Sequence, residues 1–294
     1  MTERQLSLFK RTAELENMTK SAEELYVSQP FLSRSLKALE EELEVKLFDR
    51  IGRNIYLNPC GKAFYKRVVK IFNELDDAVK EVREIQRLQE ERLSIVTNVS
   101  LYMPGLLELL VERNPKLIVS QYSEKISNIG NMILSGDTDF AICCPPFQNA
   151  NFESIQLRYE PGVVIYPKGH WLENYDEVGI EDIRDESFIS SAKGYGTREV
   201  VDLFMRENNI STRTAIETAD TSTVSKYVER GLGIAIVPLS PILTSPAYKD
   251  NYTRIRGFVG GNVTLIWRKD KYITEVDKLF IDACKEFFTR LNKI

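Results

Sequence analysis

Gln29, Ser33, Arg34 and Lys37 share one polar face if residues 29–37 are helical, and all four side chains donate or accept hydrogen bonds. That chemistry suits base edges in a major groove, where Arg and Lys reach guanine acceptors and Gln reaches adenine. No comparable set suggests catalysis. His170 is the sole histidine, no carboxylate pair stands out, and neither a phosphate loop nor a nucleophile beside a base appears. Cys60, Cys143, Cys144 and Cys284 lack CxxC or Cys/His spacing, so neither a metal site, a disulfide framework nor a cofactor is expected.

The polar face needs a helix with a buried back. Leu32, Leu36, Leu39 and Leu43 supply it at steps of four, three and four, Ser28 is placed to cap, and Pro30 falls in the first turn, where a missing N–H does no harm. Thr19 is expected to cap a preceding short helix with Ala22 and Leu25 inward. Residues 18–37 thus read as two helices across a tight turn. An ordinary helical hairpin with a solvated face has the same spacing, so the flanks matter. Residues 47–57 alternate on either side of a turn at Gly52 and predict a small hairpin, a wing with Arg53 at its tip. From Arg50 to Asn73 the chain has six basic residues and no acid, which suits phosphates.

Net charge is −4, but it is unevenly divided. Through Arg67 there are 12 Lys and Arg against 10 Asp and Glu, and the remainder carries the acidic excess. Glu40, Glu41, Glu42 and Glu44, at the far end of the polar-faced helix, are expected to point away from phosphates. Phe64, Val68, Ile71, Leu75, Ala78, Val82 and Ile85 then recur at steps of 4, 3, 4, 3, 4 and 3, a heptad seam that asks for a partner helix. A second copy is one candidate, because a two-fold protein places two reading helices in successive major grooves, roughly 34 Å apart, on palindromic double-stranded DNA. A face packed on its own chain is the other.

Beyond Arg92 short apolar runs alternate with helical patterns, the signature of α/β units around a mostly parallel sheet. Strands are expected near 93–97, 117–121, 139–143, 162–166, 187–191, 213–217, 234–237 and 263–267. Helices are expected near 104–113, 126–135, 197–208, 222–230 and 273–292. The chain opens Met-Thr-Glu-Arg without a basic-then-apolar export signal, and no apolar run reaches about 18 residues, so a cytoplasmic protein without a membrane partner is expected.

The residues that carry a family resemblance are now in view. Leu6, Phe9, Ser21-Ala22, Leu25, Val27-Ser28-Gln29-Pro30, Leu32-Ser33, Leu39-Glu40, Leu43, Leu47-Phe48, Arg50, Leu57 and Gly61 resemble, in order and spacing, the winged helix-turn-helix of LysR-type transcriptional regulators. Asn58 and Cys60 depart from that pattern, although Asn58-Pro59 remains a good helix start. Residues 134–142 and 228–238 resemble two signatures of the family's effector domain.

The resemblance implies an α/β protein: a winged helix-turn-helix at 1–58, a linker and dimerisation helix at 59–90, and a periplasmic-binding-protein-like effector domain at 91–294. That domain divides into subdomain I, 91–161 and 267–294, and subdomain II, 162–266. It implies a DNA-binding regulator, a homodimer or homotetramer, in which Gln29, Pro30, Ser33, Arg34 and Lys37 read the groove and Arg50 and Arg53 hold the backbone.

A small anionic effector is expected between the subdomains, touching Thr97, Asn98, Ser100, Lys125, Ile126, Cys144, Ser191, Tyr195 and Thr197. Hydroxyls and free N–H groups at strand ends suit an anion, though Ser, Thr and Asn there are also ordinary turn and cap residues. Lys125 and Arg198 are candidate counter-charges or plain surface cations, and His170 reads as a structural loop residue. Adjacent Cys143 and Cys144 should face opposite ways, one buried and one into the cleft. They leave redox control as an alternative, since some family members switch by thiol oxidation, and a binding-protein-fold enzyme or receptor as another.

Overall fold

Three caps set the first helices. In the computed structural model, which describes residues 1–51, 54–85, 91–147, 149–243, 251–258 and 260–291, α1 (Glu3–Leu15) opens with a reciprocal capping box. The Gln5 N–H donates to Thr2 Oγ1 at 3.2 Å, and the Thr2 N–H donates to Gln5 Oε1 at 2.8 Å. Helix α2 (Met18–Glu24) is capped by Asn17, whose Oδ1 accepts the N–H groups of Thr19 and Lys20, each at 3.1 Å. The expected cap at Thr19 is therefore corrected: extended Asn17 stands outside the helix and Thr19 lies inside it. Helix α3 (Gln29–Glu42) is capped by Ser28, as its sequence implies.

Leu32 and Leu39 of α3 are fully buried with Phe9, in a core that includes Leu6, Ala22, Leu36 and Leu47. Strands β1 (Phe48–Ile51) and β2 (Asn54–Leu57) pair antiparallel as the wing; its tip, Gly52 and Arg53, lies outside the described residues. Asn58 Oδ1 accepts the Gly61 N–H at 2.9 Å at the start of α4 (Pro59–Ile85). Gly61 is required there, because a Cβ would fall 2.0 Å from the Leu47 carbonyl oxygen. Val68 is fully buried, and Phe64 packs on the same core. Val68 thus leaves the expected dimer seam for the winged domain's own interior, while Phe64 is half-buried against it. These elements belong to one compact unit, Met1–Val82; the other is Arg83–Ile294.

The second unit contains two main sheets. The first has strand order β4-β3-β5-β13-β6, built from β3 (Arg92–Thr97), β4 (Ile118–Ser123), β5 (Phe140–Cys143), β6 (Phe152–Glu160) and β13 (Gly261–Arg268). One face carries α5 (Met103–Arg113) and α10 (Glu275–Leu291), where Leu106, Leu110, Phe280 and Phe288 bury against Ile95, Phe140 and Leu265. The other carries α6 (Ile126–Ser135), with Ile129 and Ile133 against Val96, Ala141 and Ile266. The alternation of strand side chains thus serves two covered faces.

The second sheet has order β11-β7-β12-β8, from β7 (Gly162–Ile165), β8 (Glu177–Val178), β11 (Ala235–Pro238) and β12 (Tyr252–Ile255). Beside it β9 (Ser187–Ser191) and β10 (Arg213–Thr218) pair in parallel. Helices α7 (Arg198–Glu207), α8 (Val224–Glu229) and the short α9 (Leu239–Leu243) belong to this half.

Two expectations change. The sheets are mixed rather than mostly parallel, since β13 runs antiparallel to β5 and β6, and β7 antiparallel to β11 and β12. Three strands were also missed in sequence, and each gives a weak signal: β6 has few buried residues, β8 spans two residues and β12 four. The return crossing comes at Gly261 rather than after residue 266, because all of Gly261–Arg268 is paired to β6 in the first sheet.

Candidate functional site

Along α3, Gln29, Pro30, Arg34 and Lys37 are exposed and Ser33 is half-buried, opposite the leucine stripe. The structure therefore brings the predicted reading residues onto one accessible face. Arg34 Nε lies 3.4 Å from the Pro30 carbonyl, and Lys37 pairs with Glu41 at 3.4 Å between exposed side chains, a contact that water weakens. Arg50 is exposed on β1. Tyr26, which sequence reasoning passed over, is 96% exposed in the turn before α3.

Glu40 departs from its expectation. Rather than pointing away with Glu41, Glu42 and Glu44, its carboxylate turns to the wing: Oε1 accepts the N–H groups of Leu47 at 2.8 Å and Phe48 at 3.3 Å, and Oε2 pairs with Lys46 at 2.8 Å. Glu16 Oε1 accepts the Leu57 N–H at 2.9 Å from the other wing strand. Glu40 from α3 and Glu16 just past the end of α1 thus fix the wing's base.

Past Val68 the α4 seam reaches the surface. Ile71 and Leu75 are each 47% exposed, Val82 61% and Ile85 70%, and Ala78 is exposed between them. Large aliphatic side chains in a row at heptad spacing form an apolar stripe of the kind that protein surfaces cover.

In the second unit a cavity of about 20 Å³ separates the two subdomains. That is room for roughly one water. Its wall comprises Val99, Leu101 and Tyr102 from the first half, with Ser191, Gly196, Thr197, Thr221, Val224, Ile236, Val237 and Pro238 from the second. Ser191 and Thr197 are where the sequence expects them. Thr221 and Tyr102 were missed, although the hydroxyl run Thr221-Ser222-Thr223 before α8 was a legible signal.

The remaining expected contacts lie off the wall, and each has a physical reason. Thr97 is fully buried, with Oγ1 donating to the Ile142 carbonyl at 2.7 Å and accepting the Val99 N–H at 2.9 Å. Asn98 is also fully buried: Nδ2 donates to the Cys144 carbonyl at 2.8 Å and Oδ1 accepts the Cys144 N–H at 3.1 Å. Across the cleft the Gly196 N–H donates to the Asn98 carbonyl at 2.6 Å, and the Ile126 N–H donates to the Gly194 carbonyl at 3.0 Å. Gly194 and Gly196 have φ of +89° and +57°, so Tyr195 rides on a loop whose turns favour glycine. Ser100 Oγ lies 3.2 Å from Ser123 Oγ, and Lys125 is exposed.

Cys143 and Cys144 do point to opposite faces, one toward α6 and the other toward the α5 and α10 core. Both faces are covered, so neither looks into the cleft; they are 0% and 1% exposed. Burial, with the other thiol next in effect, pushes Cys143 up to about 12, and burial, with Glu160 next, does the same for Cys144. Such thiols are poor redox sensors. His170 Nδ1 accepts the Leu172 N–H at 3.4 Å and its ring stacks on Tyr166, in line with a structural reading. Among the described residues no group of three or more His, Cys, Asp or Glu is placed to hold a metal ion, and no helix is long and apolar enough to cross a membrane.

A winged helix-turn-helix followed by a two-subdomain α/β unit with an interdomain cavity defines a class of regulators. The comparisons agree. Residues 3–62 match the bacterial regulatory helix-turn-helix protein, lysR family, and residues 86–289 match the LysR substrate binding domain. The HTH-type transcriptional regulator YybE of Bacillus subtilis (strain 168) is 30% identical over 237 residues, covering 80% of this chain and 81% of that protein. A full-length OxyR variant from Pseudomonas aeruginosa aligns with a TM-score of 0.68 at 22% identity, over 98% of this chain and 94% of that one. Full-length CbnR, solved in complex with its target DNA, aligns with a TM-score of 0.61 at 23% identity, over 98% and 100%. At those identities the structural likeness speaks for the fold alone. The chain belongs to the LysR family; it is a LysR-type transcriptional regulator rather than an enzyme.

Proposed function

We propose that the protein is a cytoplasmic, homo-oligomeric regulator that reads a palindromic site on double-stranded DNA and is controlled by a small molecule held between its effector subdomains. The observation that carries this reading is the exposed face of α3, where Gln29, Pro30, Arg34 and Lys37 lie opposite the buried Leu32, Leu36 and Leu39. Gln29, Ser33, Arg34 and Lys37 take the base edges, and Pro30 packs beside them. Arg50 and Arg53 take phosphates from the wing. The relative CbnR, solved with its target DNA, supports the assignment by fold.

In this reading the exposed stripe from Ile71 to Ile85 pairs α4 with its copy, and Phe64 and Val68 anchor that helix to the winged domain. Residues 1–58 and 59–90 remain the reading and linking segments. The effector subdomains are 91–161 with 261–294, and 162–260, the return crossing being taken at Gly261. Ser191, Thr197, Thr221 and Tyr102 form the ligand contacts, while Asn98, Ile126 and the glycine-flanked Tyr195 loop close the cleft.

No cationic side chain lines the cavity, so the anionic character expected of the effector lacks support from the wall. The test is a gel shift of the full chain on DNA from upstream of its own gene, with random DNA as competitor. Retention of a specific complex at a competitor excess that removes nonspecific binding is expected, and titration by random DNA as readily as by specific DNA contradicts the reading.

A further inference from the structure

The turn between α2 and α3 closes α2 with a Schellman pair of hydrogen bonds: past the C-cap Leu25, the Tyr26 N–H donates to the Glu23 carbonyl at 3.1 Å and the Val27 N–H to the Ala22 carbonyl at 3.0 Å. That arrangement puts its central residue in the left-handed region, and Tyr26 has φ +53°. Glycine is the usual occupant there, because a Cβ makes the conformation unfavourable. The apolar contacts of the motif belong to the neighbours, since Ala22 and Val27 join the winged core. Tyr26 takes no part in them: it is 96% exposed. The fold accounts neither for an aromatic ring left in water nor for its backbone conformation.

Elsewhere in the described chain the same conformation has an account. Glu16, at φ +45°, turns its carboxylate to the Leu57 N–H, and Asn209, at +55°, is of a type that tolerates this region. Glu44, at +54°, presents an exposed charge that water solvates.

For Tyr26 the account lies in its position. It stands just before Ser28, the N-cap of α3, beside exposed Gln29 and Pro30, at the end of the helix that leads into a groove. The first turn of α3 also carries a cation, because the Arg4 guanidinium lies 5.0 Å from the Phe31 ring centroid. A phenol hydroxyl at the rim of such a helix is a neutral donor of the kind that meets phosphate oxygens.

We propose that Tyr26 is a DNA-backbone contact: its hydroxyl donates to a phosphate oxygen at the edge of the groove that α3 enters, and so fixes how the first turn of that helix meets the bases. The contact carries no sequence information of its own. The proposal rests on the reading of α3 as the DNA-reading helix and extends it to a residue outside that helix.

The test is fluorescence anisotropy of full-length Tyr26→Phe and Tyr26→Gly on duplex DNA from upstream of the chain's own gene and on random duplex of equal length, across a salt series. Both variants are expected to bind about tenfold more weakly, the scale of one hydrogen bond to a charged group. The factor should be similar on the two duplexes, and the slope against salt unchanged, because a neutral donor displaces no counterion. Thermal unfolding separates this from a structural role: Tyr26→Gly should melt at or above the wild type, since glycine relieves the left-handed conformation. Should Tyr26→Gly melt lower instead, Tyr26→Phe, which keeps the ring and its backbone preference, decides the matter. Undiminished binding by Tyr26→Phe overturns the hydroxyl contact and leaves the α3 reading standing. A loss confined to the upstream duplex makes Tyr26 a base reader and overturns the backbone assignment; a lowered sedimentation coefficient in either variant makes it a protein contact and does the same. A wild type that does not prefer the upstream duplex fails the α3 reading itself and takes this proposal with it.

Discussion

Asn98 and Gly196 hold the two effector subdomains together: the Gly196 N–H donates to the Asn98 carbonyl at 2.6 Å, while Asn98 Nδ2, bonded to the Cys144 carbonyl, also lies 3.4 Å from the Gly196 carbonyl. The latch spans the cavity edge with fully buried groups. Truncation to Asn98→Ala strands the Cys144 N–H and carbonyl, and each stranded group costs about 1–3 kcal/mol. Urea denaturation of the full chain should show a loss in that range or above for its effector domain; a loss below about 0.5 kcal/mol, the scatter of a neutral surface change, would mean that the latch carries no stability.

Helix α4 changes role along its length, and substitutions should divide accordingly. Ile71→Glu with Leu75→Glu is expected to lower the sedimentation coefficient of the full-length protein while leaving it folded, since both side chains are 47% exposed. Val68→Ala, in the winged core, should instead cost about 1–3 kcal/mol of stability without dissociating the protein. Unchanged sedimentation of the double variant would assign the stripe to its own chain.

Glu40 predicts a coupling between stability and the wing. Glu40→Ala removes the acceptor for the Leu47 and Phe48 N–H groups and should destabilise the winged domain by about 1–3 kcal/mol, whereas Glu40→Gln, which keeps a carbonyl oxygen, should recover most of that loss. Equal destabilisation by Ala and Gln would show that the charge, through Lys46, matters more than the acceptor.

The buried thiols predict a pH dependence with a fixed sign. Cys143 and Cys144 rise from an ordinary 9.0 to about 12 in the folded state. The folded chain thus keeps protons that the unfolded chain releases, so their contribution is complete below about pH 9 and lost as pH rises toward about 12. Relative to a variant carrying Cys143→Ala and Cys144→Ala, the wild type should lose urea resistance across that window. At pH 8 iodoacetamide should modify exposed Cys60 first, and rapid native alkylation of Cys143 or Cys144 would revive thiol-based control.

The DNA-reading half was legible in the sequence because its signals are local: a cap at Ser28, a proline one turn in, leucines at helical spacing and an alternating hairpin. Even there Thr19, Glu40 and Val68 were misassigned, since a cap two residues earlier, an inward-turned carboxylate and a helix start absorbed by its own core are tertiary facts. The effector cleft was less legible. Thr97 and Asn98 have the side chains of ligand contacts, yet strand-end backbone groups claim them. Sequence spacing reports which groups can bond, whereas the competing partners lie far along the chain, 45 positions away for Thr97 with Ile142 and 46 for Asn98 with Cys144.

The central claim is that α3 reads sequence, and Arg34 tests it most directly. Fluorescence anisotropy of the full chain should compare Arg34→Ala with the wild type on upstream DNA and on random DNA of equal length, across a salt series. Loss of one base-reading side chain should cost about 1–3 kcal/mol on the specific duplex, with a smaller loss on random DNA and a relaxed sequence preference. Equal losses on both duplexes, with a flattened salt dependence, would instead make Arg34 a phosphate contact and contradict the assignment of this face to base readout.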